Sequence, residues 1–158
     1  MSKNTIDITS LEDVSLNAFA YELLREELLP DLIGNDLDGI LYWSGRNLAR
    51  KYPLETIEEV IQFFEKAGWG TLSIVEHKRR EMQFQLKGTL ITERQKQKRH
   101  SSYQLEAGFI AEQIQKQRNV VAESYEEQKK RSDSITFLVK WDIKDLIEVA
   151  STYSQLDI

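Results

Sequence analysis

Apolar side chains recur at three- and four-residue spacing from Ser15 to Leu29, at Leu16, Phe19, Ala20, Leu23, Leu24 and Leu28. That period lays one apolar stripe along a helix. Pro30 is expected to stop this helix, because the residue before a proline is pushed out of the helical region. Ile33 to Asp36 reads as a turn. A second helix follows from Asp36 to Lys51, with Leu37, Ile40, Leu41, Leu48 and Ala49 as its buried stripe and Ser44 and Gly45 within it. Glycine costs a helix interior about 1 kcal/mol against alanine, so Gly45 marks a close approach by another backbone or a ligand. Pro53 suits the first turn of a third helix, Leu54 to Ala67, whose apolar face is Leu54, Ile57, Val60, Ile61 and Phe64. Gly68 fits the left-handed residue that ends it, and Trp69 is expected to swing back onto the core.

The period then changes from 3.6 to 2. Thr71 to Lys78 is a first strand marked by Leu72, Ile74 and His77, and Lys78-Arg79-Arg80 reverses the chain. Glu81 to Gly88 alternates Met82, Phe84 and Leu86 with Gln83, Gln85 and Lys87, the pattern of an antiparallel strand with one buried face. Leu90 and Ile91 extend it as far as the apolar pattern runs. Thr92 to Ser102 is a polar, basic stretch, either a loop or the exposed start of the next helix. Tyr103 to Gln117 is that helix, with Leu105, Phe109 and Ile114 beside Ala107, Gly108 and Ala111; the small residues would let it sit close on a sheet. Val120 to Gln128 and Ser134 to Trp141 are the third and fourth strands, the last with Ile135, Phe137, Val139 and Trp141 inward. The expected architecture is α+β, with N-terminal helices and one later helix packed on a twisted four-stranded antiparallel sheet. Residues 1–14 read as a poorly ordered N-terminus, 15–142 as a single domain, and 143–158 as a tail whose Ile143, Leu146, Ile147 and Val149 suit a short helix.

Composition removes several kinds of chemistry. The 158 residues include no cysteine and two histidines, His77 and His100. Disulfides and thiolate nucleophiles are therefore excluded, and metal or triad chemistry is nearly so. The sequence has no apolar run long enough to span a bilayer and no secretory-type apolar segment at its start, so a cytoplasmic location is expected. The net charge of −5 is segregated: residues 1–77 carry −8, residues 78–131 carry +6 and residues 132–158 carry −3. Such asymmetry steers partners or pairs subunits, or simply keeps the surface solvated.

Three kinds of function are weighed. A basic patch from Lys78, Arg79, Arg80, Arg94, Lys96, Lys98, Arg99, Lys129, Lys130 and Arg131 would meet phosphates if both hairpin turns lay at one sheet end. The overall acidity and the lack of interleaved aromatics count against nucleic acid. Enzyme chemistry finds no support. Glu126 and Glu127 point to opposite faces of a strand, and no Gly-rich phosphate loop exists. Glu106, beside the small-residue patch, is the one acid whose burial would matter. Recognition of a small molecule or of another protein is left.

Five segments carry a resemblance: Leu41-Tyr42-Trp43-Ser44-Gly45, Ala67-Gly68-Trp69-Gly70, Leu105-Glu106-Ala107-Gly108-Phe109-Ile110-Ala111, Ala122-Glu123-Ser124-Tyr125-Glu126-Glu127 and Thr136-Phe137-Leu138-Val139-Lys140-Trp141. On these, over about residues 15 to 142, the chain resembles the YslB-like family of uncharacterised bacterial proteins. The order of elements also looks like a wider superfamily of vinyl-reductase-type ligand-binding domains, subunits of TRAPP-type trafficking complexes and haem-based nitric oxide sensors. The resemblance implies helices on a twisted antiparallel sheet, often with a cavity between the layers and often dimeric. It does not carry over haem, acylation or metal: the proximal histidine on a helix, the Tyr-x-Ser-x-Arg motif and the cysteines of those branches are missing here. The expected function is a non-enzymatic small-molecule-binding or regulatory module without a cofactor. Its candidate lining is Tyr42, Trp43, Gly45, Trp69, Phe84, Phe109, Phe137 and Trp141, residues that equally fill an ordinary core. The alternative is a homodimeric interaction or scaffold protein without a ligand. The expected partners are thus an apolar small molecule or a second copy, with nucleic acid unlikely and no membrane span.

Overall fold

Alternation in four short segments builds the sheet. In the computed structural model, which describes residues 5–142, β1 (Thr71–His77), β2 (Glu81–Lys87), β3 (Val121–Glu127) and β4 (Ile135–Asp142) form one antiparallel sheet in the order β1-β2-β4-β3. Met82, Phe84 and Leu86 face the same side as Ile135, Phe137, Val139 and Trp141, and all are buried. The register Phe84↔Phe137 and Met82↔Val139 stacks these side chains across the two central strands. On the edge strand β1 only Leu72 is buried; Ile74 lies out, next to a register shift between Ile74 and Glu76.

Helices cover that face. They are α1 (Ala18–Glu22), a π-helical stretch Leu23–Leu28, α2 (Leu29–Ile33), α3 (Leu37–Lys51), α4 (Ile57–Lys66), α5 (Thr89–Lys96) and α6 (Gln104–Arg118). The most enclosed is α6, buried continuously from Glu106 to Ile114 because it lies between the sheet and α3. Its end is fixed by Asn119, a left-handed residue with φ 55°. α4 is capped by Thr56, whose hydroxyl accepts from the Glu59 N–H at 3.2 Å, and is closed by Gly68 at φ 76°. Trp69 then turns onto Phe64, with ring centroids 4.9 Å apart and planes at 90°, a favoured edge-to-face arrangement.

Several expectations are corrected. Pro30 does not stop the first helix. The π-helical turn before it widens the backbone, the Leu29 N–H reaches the Leu24 carbonyl, and the proline is accepted at the start of α2, where a missing N–H costs little. The third helix begins at Ile57 rather than Leu54, leaving Pro53 outside it. Leu90 and Ile91 do not extend β2: Gly88 breaks the strand and both residues enter α5, which also takes in half of the polar stretch. In the second helix Leu41 and Ala49 are buried but Ile40 points out. Gly45 and Gly108 do not sit on the sheet. They face each other's helix, so a Cβ on Gly45 would lie 2.1 Å from the Leu105 carbonyl oxygen, and one on Gly108 would lie 1.9 Å from that of Tyr42. The close approach is thus between α3 and α6.

The largest correction concerns the first helix. Its leucine stripe faces outward: Leu16, Phe19, Leu23, Leu24, Leu28 and Leu32 are 45–79% exposed. The inward side carries Arg25, Glu22 and Glu26. The predicted helix in the tail after Asp142 lies outside the described residues.

Candidate functional site

Charge, not apolar burial, holds the N-terminal helices down. Arg25 is 8% exposed; its guanidinium donates to Glu106 Oε1 at 2.7 Å, the Tyr21 hydroxyl at 3.0 Å and the Ser102 carbonyl at 3.2 Å. Burial pulls against the charged guanidinium, but the Glu106 carboxylate and Tyr21 outweigh it and hold Arg25 above its ordinary value. Arg94, buried on α5, donates to both oxygens of Glu22 at 2.6 and 2.9 Å. Arg99 reaches Glu27 at 3.2 Å and the Glu26 carbonyl at 2.6 Å. The Ser101 hydroxyl donates to Glu26. Glu106 Oε2 is buried with no hydrogen-bond partner among the described residues.

Arg25, Glu26, Arg99, Ser101 and Ser102 of this network border a cleft of about 400 Å³. Leu29 and Pro30 of α2, Leu37 and Leu41 of α3 and Leu105 of α6 form its apolar walls; Arg25, Glu26 and the segment Arg99–Ser102 form its polar side. Such a volume falls within the range of small-molecule sites, and a mainly apolar lining with a few polar groups is their usual character. A wider, open groove of about 1400 Å³ shares Leu37 and Arg99–Ser102 with the cleft and extends to Glu126, Gln128 and the β3–β4 turn. Glu126 accepts from the Tyr103 N–H at 2.9 Å and from the Gln104 amide at 3.1 Å. Burial raises its carboxyl above the ordinary glutamate range, against the pull of Gln128 and the Tyr103 N–H.

The candidate lining drawn from the sequence falls elsewhere. Phe84, Phe109 and Phe137 are fully buried, and Trp69 and Trp141 nearly so. Phe109 stacks on Phe63 at 4.5 Å and meets Trp69 edge-on at 5.3 Å, so rings from α4, Trp69 and α6 interlock within the buried core. Trp43 is 64% exposed. The Tyr42 hydroxyl links α3 to β3, donating to Glu123 at 2.5 Å and accepting from the Ser124 N–H at 3.0 Å; burial, then Glu123, raises its pKa. Gly45 serves the α3–α6 crossing. None of the eight lines the cleft. Of the residues that do, sequence reasoning weighed for chemistry only Arg99, in the basic patch, and His100, as one of the two histidines.

That basic run is also dispersed. β2 and β4 are antiparallel with Glu81 beside Lys140 and Leu86 beside Ile135. The turn 78–80 therefore lies at one end of the sheet and the turn 128–134 at the other, not together as a single phosphate-binding patch would require. Among the described residues no group of His, Asp and Glu is placed to hold a metal, and no helix is long and apolar enough to cross a membrane.

Comparisons with known proteins follow the fold. Residues 18–140 match the family described as "Protein of unknown function (DUF2507)". The chain is 51% identical to "Uncharacterized protein YslB" of Bacillus subtilis (strain 168) over 144 residues, 91% of this chain and 97% of that one. Among solved structures, it is similar to a vinyl-4-reductase family protein from Methanocaldococcus jannaschii with a TM-score of 0.61 at 17% identity, covering 85% of this chain and 86% of that one. It is similar to the phenol-responsive sensory domain of the transcription activator PoxR with a TM-score of 0.56 at 14% identity, covering 87% and 82%. It is also similar to an Fe(II) unliganded H-NOX protein mutant from K. algicida with a TM-score of 0.51 at 15% identity, covering 82% and 76%. At these identities the solved structures share the fold. With the family match spanning the helices and all four strands, and half of its residues shared with YslB, the chain belongs to the DUF2507 family.

Proposed function

We propose that the protein is a non-enzymatic module of the bacterial cytoplasm that binds a small, mainly apolar molecule in the cleft between α2, α3 and the segment Arg99–Ser102. The observation that carries this reading is the cleft itself: five apolar residues in its walls over a floor of Arg25 paired with Glu26. A sensory domain solved with phenol has the same fold, which supports a ligand of that size here. The floor also supports a regulatory output. A ligand seated on it touches Arg25 and Glu26, and these hold the N-terminal helices in place. A panel of small phenols and alcohols, read by thermal unfolding, tests the reading. Stabilisation of the wild type that is lost in Leu37→Trp, which fills the cleft, is the expected result; no stabilisation by any member would refute it.

A second reading is favoured by the outward stripe. Six large apolar side chains from Leu16 to Leu32 expose an area on the order of the ~800 Å² that each partner buries in a standard interface. A second copy of the chain is the occupant that fits best. The stripe is roughly 24 Å long at 1.5 Å per residue, and antiparallel pairing about a two-fold axis would set Asp31 of one copy beside the positive N-terminal end of the partner's helix. Light scattering at micromolar concentration is expected to give twice the mass of the chain, and Leu24→Glu with Leu28→Glu to give the single mass. A wild-type monomer would remove this reading and leave the cleft untouched.

A further inference from the structure

The groove beside the cleft differs from it in charge. Five cationic side chains, Lys98, Arg99, Lys129, Lys130 and Arg131, line it with Asp38, Glu126 and Asp133. Arg99 is committed to Glu26 and Glu27, and Asp133 to Lys87 at 4.0 Å. Glu126 is enclosed by the Tyr103 N–H, Gln104 and Gln128. Among the described residues, Lys98, Lys129, Lys130 and Arg131 have no ion-pair partner, and neither have Asp38 and Glu126. In a chain of net charge −5, four unpaired cations against two unpaired carboxylates leave the groove beside the apolar cleft with a local field of opposite sign to the rest of the molecule. Such a field raises the local concentration of anions.

The cleft and the groove share Leu37 and Arg99–Ser102 in their linings. The cleft, with Leu29, Pro30, Leu41 and Leu105 in its walls, rewards apolar contact; the groove is wider and carries more cations than anions in its lining. The cleft, at about 400 Å³, holds roughly a dozen heavy atoms at the ~30 Å³ that each water takes in the liquid. We propose that the natural ligand is an anionic amphiphile: an acyl or arylalkyl body of about that size seated in the cleft, with a carboxylate or phosphate head in the groove among Lys98, Lys129, Lys130 and Arg131. This rests on the reading of the cleft as a ligand site and adds the chemical class of the ligand. The charged floor does not provide the head-group site, because Arg25 is already satisfied by Glu106, Tyr21 and Ser102.

The test is calorimetric titration of the full chain with hexanoate, octanoate, decanoate and decanol, each below its aggregation concentration. Affinity for the acids rises with length by about fourfold per CH₂, the gain expected for burying each methylene, until the cleft is full. Decanoate binds more tightly than decanol, and the difference shrinks on going from about 50 mM to about 500 mM salt as the groove is screened. The exposed-turn variant Lys129→Glu with Lys130→Glu weakens decanoate by about tenfold and leaves decanol unchanged. Leu37→Trp abolishes both, which separates the cleft from adsorption elsewhere on the surface. Decanol binding as tightly as decanoate, with no response to salt or to the lysine variant, would overturn the anionic class and keep the cleft. Failure of every probe would overturn both.

Discussion

Arg25 decides the orientation of the first helix. Its guanidinium is buried against Glu106, which has no exposure at all, and removing one partner leaves the other charge uncompensated. Arg25→Met is therefore expected to cost about 3–5 kcal/mol in denaturant unfolding, whereas Arg25→Met with Glu106→Leu should recover most of that loss. A double variant as unstable as the single one would show that the pair does more than neutralise itself. Glu126 yields a pH prediction. Burial raises its folded-state pKa above the unfolded value, so its contribution to stability is fully present below the ordinary glutamate range and is lost as pH rises through the folded value. Glu126→Gln should then be more stable than the wild type at neutral pH, with the advantage vanishing in acid below the unfolded pKa. An advantage that persisted in acid would assign the effect to packing instead.

At the scale of elements, the crossing of α3 and α6 rests on two glycines. Gly108→Ala drives a methyl into the Tyr42 carbonyl at 1.9 Å, so an overpacking cost of about 1–3 kcal/mol or more is expected despite the better helix propensity of alanine. Gly39→Ala is the control: nothing lies within 4 Å of its added Cβ, and up to ~1 kcal/mol of stabilisation is expected from propensity alone. Thermal unfolding of the two variants should move in opposite directions. The central strands β2 and β4 were legible because alternation of buried apolar side chains with outward ones matches the two-residue period of a sheet with one buried face and clashes with the helical period. Gly68 marked a helix end through its left-handed backbone. The first helix misled for a physical reason. Periodicity reports that an apolar face exists, not which way it looks, and a buried Arg25–Glu106 pair whose partners stand 81 positions apart leaves no local signature. The strand-to-helix break at Gly88 was hidden by Leu90 and Ile91, which suit either element.

For the whole molecule, the sheet and α6 form a solid core whose aromatics interlock, and the space left open lies between that core and the N-terminal helices. The sequence pointed to the core residues as ligand contacts because aromatics suit both roles; only the third dimension separates the packed layer from the cleft. The cleft itself is assembled from α2, α3, the segment after α5 and the start of α6, a juxtaposition that no single stretch of chain announces. The most direct test of the central claim is a crystal structure of the protein grown with 4-bromophenol, located by the anomalous signal of its bromine. The account predicts a peak within the cleft bounded by Leu29, Leu41 and Leu105. A peak between the helices and the sheet, among Phe84, Phe109 and Phe137, would contradict it.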